Sequence, residues 1–161
     1  MQHLLTQFQQ LLSSSTPEEI ELLSELLEKL RQKQQGHFST SLSAVLGLKK
    51  ELHEDSCSVS VPNNGWIHNS SGIPHGGILA TLADTAMGIL ATSKCPEGFS
   101  AVTVNFNIHY LSVADGTEII ADATIVRQGR HLITSECGIR QPDGREIAIA
   151  TGSFMAVPKQ S

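Results

Sequence analysis

Residues 74–93, PHGGILATLADTAMGILATS, decide how the rest of the chain is read. The spacing predicts a helix over 75–93. Gly77, Ala80, Asp84, Gly88 and Ala91 recur at three- and four-residue steps along one side, with Leu79, Leu82, Ala86 and Ile89 as a neighbouring apolar stripe. Glycine and alanine inside a helix let a sheet, a second helix or a ligand approach closely. Among these small residues stands one carboxylate, Asp84, with Thr81 and Thr85 as the nearest polar groups. Aspartate is a poor residue for a helix interior and loses hydration there, so something must hold it in place. The helix start is equally informative. Pro74-His75-Gly76-Gly77 puts two residues without side chains in the first turn, where backbone N–H groups lack intrahelical acceptors. Such an end attracts negative charge, and a developing oxyanion on a carbonyl carbon is a suitable guest.

Downstream, four strand-like runs cover 100–112, 117–127, 131–141 and 145–157. Asp115-Gly116, Gln128-Gly129 and Asp143-Gly144 separate them at hairpin spacing, which predicts a four-strand antiparallel meander. Parallel crossovers would need far longer connections. Upstream, 41–50 (SLSAVLGLKK) and 51–62 (ELHEDSCSVSVP) are each read as a strand, the second alternating through Cys57, Val59 and Val61. The stretch PNNGWIHNSSG, 62–72, is a loop. Two helices come first. Residues 4–12 form a short one, and 16–35 a clearer one opened by the capping box Thr16-Pro17-Glu18-Glu19 and stopped at Gly36. The organisation is an N-terminal helical extension, 1–40, followed by an α+β domain, 41–161.

The 161 residues suit one ordinary domain. With 4% aromatic residues the chain offers no stacking platform for single-stranded nucleic acid, and its net charge of −5 gives no general pull toward polyanions. Charge is unevenly spread. Residues 126–161 hold 3 acids and 5 bases, including four of the five arginines: Arg127, Arg130, Arg140 and Arg145. A small anion could bind there. Cys57, Cys95 and Cys137 have no paired spacing, so neither a disulfide framework nor a zinc motif is expected, and a reducing cytoplasm is. No run approaches the ~18 apolar residues of a membrane span. His68 and His75 lack the companions a metal site needs, so no metal or cofactor is expected. Trp66 and Tyr110 are assigned to the core, with the wall of a pocket as the alternative.

Residues 69–86, NSSGIPHGGILATLADTA, carry a resemblance. An Asn six residues before His-Gly-Gly, then Leu-Ala-Asp-Thr-Ala nine residues beyond that His, resembles the signature of hotdog-fold acyl-CoA thioesterases of the phenylacetic-acid-degradation type. Thr103–Tyr110, TVNFNIHY, is similar to the strand that follows the helix in that family. The likeness covers about residues 45–157 and leaves the first helices outside. It implies a long central helix wrapped by an antiparallel sheet, with two subunits' sheets made continuous in a homodimer or homotetramer. It implies Asp84 as general base or nucleophile, the Gly76 N–H as the group that polarises the thioester carbonyl, and Asn69 as an aid to that carbonyl or to the attacking water. Thr103 would stand beside the carboxylate, and His75 would shape the loop more than act as a base. The hairpin of Arg127, Gly129 and Arg130 would meet the phosphates of coenzyme A, which belongs to the substrate.

Eight residues separate Gly76 from Asp84, which puts them about 12 Å apart along a helix. One thioester group cannot span that distance, so a carbonyl held at one Gly76 must meet an Asp84 from another chain. The activity expected is hydrolysis of an aryl- or medium-chain acyl-CoA. The competing readings are a hotdog hydratase or dehydratase, which would use a His with an acid, and a non-catalytic acyl-CoA sensor with residues 1–35 as its arm.

Overall fold

The computed structural model describes residues 1–159. Two compact units divide the chain at residues 47 and 48. The first holds α1 (Gln2–Ser14), α2 (Pro17–Gln34) and α3 (Ser41–Leu46). In α2 the capping box forms as expected: Thr16 accepts from the Glu19 N–H, and the Glu19 carboxylate accepts from the Thr16 N–H at 2.8 Å. Neither α1 nor α2 buries a residue completely.

Residues 41–46 are not a strand. Thr40 and Ser43 form a second capping box, and Gly47, at φ 65°, ends the turn in the left-handed region that glycine tolerates. Six residues are too few for helical periodicity to show. The boundary between the units therefore falls after 47, not after 40.

The second unit is built on α4 (Gly76–Ser93). Its strands are β1 (Lys49–Leu52), β2 (Ser56–Pro62), β3 (Phe99–Tyr110), β4 (Glu118–Gln128), β5 (Leu132–Arg140) and β6 (Glu146–Pro158). They form one antiparallel sheet in the order β1-β2-β4-β5-β6-β3, and every one of its strands touches α4. Alternation places Val59 and Val61 of β2, Ile119, Ala121 and Ala123 of β4, and Ile133, Cys137 and Ile139 of β5 on the buried side. From α4, Leu79, Leu82, Ala83, Ala86, Met87, Leu90 and Ala91 meet them. Ile89, expected on the buried stripe, is only half-buried. The largest fully buried side chain, Phe154 of β6, fits because Gly152 lacks a side chain: a Cβ there would lie 2.9 Å from the Phe154 ring and 3.2 Å from the Met87 methyl. Among the described residues α4 alone is long and apolar enough to cross a bilayer by length and composition, a test that the core helix of a sheet also passes. Seven of its residues are buried, facing the sheet, while Ile78 and Ile89 stay half-buried.

The four-strand meander holds only in part. β4, β5 and β6 follow one another through the Gln128-Gly129 and Asp143-Gly144 turns, but β3 lies beyond β6, at the sheet's edge. Residues 111–117 are thus a crossing connection that passes three strand spacings, about 14 Å. Buried Gln141 anchors it, its Oε1 accepting from the N–H groups of Asp115 and Gly116 at 2.6 and 2.7 Å. Asn63 Nδ2 donates to the Gly116 carbonyl, and Arg145 pairs with Asp115. Seven connecting residues exceed the two to five typical of hairpins, which is the signal that separates this loop from its neighbours.

Candidate active site

Asp84 lies in the middle of α4, half-buried, beside the edge strand β3. The Thr103 hydroxyl donates to Asp84 Oδ1 at 2.9 Å. Register explains the meeting. Thr103 pairs with Phe154, which points at the helix, and the β-bulge between Thr103 and Asn105 follows at once. The hydroxyl supplies the partner that a mid-helix aspartate requires. Both residues stand at a cleft of about 520 Å³ whose walls include Leu52, Gly88, Ile89 and Ala101. The rest of the lining is apolar residues and glycine together with the hydroxyl residues Thr85, Thr92, Ser93 and Thr103, so the carboxylate is the one ionisable group lining that space.

At the start of α4 a single side chain organises the first turn. His75 is the N-cap, and its Nδ1 accepts from the Gly77 N–H at 2.9 Å. The His75 carbonyl accepts from the N–H groups of Ile78 and Leu79 at 2.9 and 3.2 Å. His75 thus takes the donors of residues 77, 78 and 79, while Gly76, at the first helical position, has no acceptor within the helix. The Gly76 N–H belongs to the same peptide unit as the doubly accepting His75 carbonyl. Hydrogen bonds in series polarise one another, which sharpens that N–H as a donor. With Nδ1 occupied as an acceptor, the proton of neutral His75 sits on Nε2.

Tyr110 is not a core residue. It is half-exposed on β3, and its hydroxyl donates to the Gly76 carbonyl at 2.8 Å. A Cβ on residue 76 would stand 3.1 Å from the Tyr110 ring carbon Cζ, so glycine lets the ring close over the turn. At the end of β3 it pairs with Ala148 on the helix-facing register. Trp66 is half-buried, with its Nε1 enclosed and unbonded. Asn69 serves the loop that leads into α4. Its Oδ1 accepts from the Ser71 N–H at 2.8 Å, and its backbone closes the turn through Ile73 and Gly72.

The arginines separate into two pairs. Arg140 bonds Asp122 at 2.7 Å and Arg145 pairs with Asp115, so each is neutralised locally. Arg127 and Arg130 are exposed at the β4–β5 turn, and neither forms an ion pair among the described residues. Gly129 makes that turn tight: its N–H donates to the Leu132 carbonyl at 2.8 Å, and a Cβ would approach the same oxygen to 2.9 Å. Gln128 Nε2 donates to the Lys94 carbonyl just past α4, tying the hairpin to the far end of that helix.

A scan for known families matches the thioesterase superfamily over residues 71–148, which spans α4 and most of the sheet. The chain belongs to that superfamily, and its fold is the hotdog: a long helix wrapped by an antiparallel sheet. It is similar to the BH2602 protein of Bacillus halodurans, solved with CoA, at 34% identity and a TM-score of 0.88, with 95% of this chain and 99% of that one covered. A thioesterase family protein of Silicibacter pomeroyi is 27% identical with a TM-score of 0.71, over 83% of this chain and 99% of that one. A protein of Halobacterium salinarum named provisionally as an esterase is 38% identical over 91 residues, 52% of this chain. This chain spans 60% of that relative's length.

Proposed function

We propose that the protein is an acyl-CoA thioesterase that hydrolyses aryl- or medium-chain acyl-CoA to the free acid and CoA. One observation carries the reading: a lone carboxylate, bonded by Thr103, lines a largely apolar cleft on the helix whose first N–H has no acceptor within the helix. The thioester carbonyl takes its hydrogen bond from the Gly76 N–H. Asp84 removes a proton from water, whose oxygen adds to the carbonyl carbon, and negative charge gathers on the oxygen that Gly76 holds. Collapse breaks the C–S bond, and the departing thiolate takes up a proton. Attack by the carboxylate itself, through a mixed anhydride, uses the same residues.

Gly76 and Asp84 of one helix are about 12 Å apart, so the catalytic pair comes from two chains. The unpaired edge of β3 is where a second copy's β3 would continue the sheet, giving a homodimer that can pair again into a homotetramer. Arg127, Gly129 and Arg130 form the turn that would receive the CoA phosphates. The CoA bound by the Bacillus halodurans relative supports this substrate class. Three unpaired thiols suit a cytoplasmic enzyme. The test is thiol release from a panel of phenylacetyl-, benzoyl-, short- and medium-chain acyl-CoA. Turnover of aryl or medium chains is expected. CoA binding without release from any member would instead favour an acyl-CoA sensor.

A further inference from the structure

Thirteen residues, 63–75, separate β2 from α4 and end at the turn that presents the Gly76 N–H. Part of this connection folds back on itself, with 67–69 antiparallel to 73–75. The His75 N–H donates to the Ile67 carbonyl at 2.7 Å, and the Asn69 N–H donates to the Ile73 carbonyl at 2.8 Å. Between those two bonds His68 stands opposite Pro74 in an isolated bridge. Gly72, at φ 72°, lets the chain reverse. Ile67 and Pro74 are buried, while the His68 ring is half-buried and its Nε2 lies 2.8 Å from Asn63 Oδ1. Asn63 follows β2 directly. Its N–H donates to the Thr117 carbonyl at 2.9 Å, and its Nδ2 donates to the Gly116 carbonyl at 2.7 Å. A carbonyl only accepts, so the amide nitrogen faces Gly116 and the amide oxygen faces His68, which makes His68 Nε2 the donor.

We propose that His68 is a positioning residue for the hydrolysis: through Asn63 it fixes the Gly76 N–H relative to the sheet. The path has no gap. Gln141 of the buried core holds the Gly116 amide, the Gly116 carbonyl holds Asn63, Asn63 holds His68, and the 67–75 pairing holds His75, whose peptide carries the Gly76 N–H. Without the His68 bond, no other side-chain link in that path ties the folded-back segment to the crossing loop. A connection of this length would then shift easily, and a displacement of about 1 Å at a group that holds the reacting carbonyl can cost up to about a hundredfold in rate. Because Nε2 is committed as a donor to Asn63, His68 acts through the turn and does not touch the substrate. The role rests on the reading that Gly76 holds the thioester carbonyl.

Hydrogen exchange and steady-state kinetics on the full chain test this together, with helix content as the folding check. His68→Leu removes the donor. Amide exchange across 67–75, read by mass spectrometry, should speed up about fivefold, as loss of one ordinary hydrogen bond would allow. In the same variant kcat should fall about tenfold, with KM changed by less than about twofold. His68→Gln offers an amide N–H of similar reach and should restore most of both. In an Asn63→Ala background His68→Leu should add little, because the two side chains act through one contact. Unchanged exchange in His68→Leu would overturn the proposal, and so would faster exchange with full kcat. Equal losses in the Leu and Gln variants, or losses that add in the double variant, would also overturn it. A wild type that releases no thiol from any acyl-CoA would refute the thioesterase reading instead, and the exchange comparison would still decide whether His68 holds the turn.

Discussion

The Tyr110 hydroxyl donates to the Gly76 carbonyl at 2.8 Å and so ties the last residue of the edge strand to the first residue of the central helix. The Gly76–Gly77 peptide that Tyr110 bonds at its carbonyl is the one whose N–H is held by His75. The turn that presents the Gly76 N–H is thus clamped from both sides. Tyr110→Phe keeps the ring over Gly76 and removes only the hydrogen bond. A net loss of about 1 kcal/mol in holding that turn should lower kcat roughly fivefold, with KM little changed. Steady-state kinetics check this, and an unchanged kcat would release Tyr110 from any positioning role.

Among the described residues Arg127 and Arg130 lack the carboxylate partners that Arg140 and Arg145 have. Replacing both by Ala should raise KM for acyl-CoA about tenfold or more while kcat holds, as loss of charged contacts to phosphate would. The wild-type KM should also climb with ionic strength, and that of the variant should stay nearly flat. Arg140→Ala is the control. It breaks the pair with Asp122, so it should lower Tm and leave KM alone.

Burial pushes the Cys57 thiol up to about 11 and the Cys137 thiol up to about 12. An acid whose folded pKa lies above its unfolded value, near 9, keeps its proton in the native state after the unfolded chain has released it. Stability from these thiols is therefore complete below about pH 9 and lost as pH rises from there toward 11 and 12. Chemical denaturation at stepped alkaline pH should show this decline, and it should be shallower in Cys57→Ala. Native protein should also resist alkylation at Cys57 and Cys137 until it unfolds.

Shared sites make a quantitative prediction. Asp84→Asn chains keep a working Gly76, and Gly76→Pro chains lack the N–H but keep Asp84. After random reassembly, half of the dimers are mixed and each holds one intact site of two, so about a quarter of wild-type activity should return. Sites contained within single chains would return none, once mixing is verified by mass.

Much of this is legible in the sequence. Residues 69–86 combine helix periodicity, a Gly-Gly start and a stranded acid, three local signals that point one way. α2 was equally clear because its cap, stripe and stop agree. What the sequence hid was either short or non-local. α3 has only six residues, so its Thr40–Ser43 box and Gly47 were its sole marks. The place of β3 depends on a crossing loop held by Gln141, a residue 25 or 26 positions away from the amides it anchors. The partnership of Tyr110 with Gly76 spans 34 residues, and nothing local to either announces it. The same holds for the arginines, whose two classes emerge only when Asp115 and Asp122 are placed beside them.

Asp84→Asn removes the proposed base and keeps the shape of the side chain. Its hydrolysis of a substrate that the wild type turns over should be measured beside its binding of CoA. Loss of the base should reduce kcat by at least about a hundredfold while CoA binding and fold persist. Turnover at the wild-type rate in that variant would contradict the account, since Asp84 is the one carboxylate that the cleft contains.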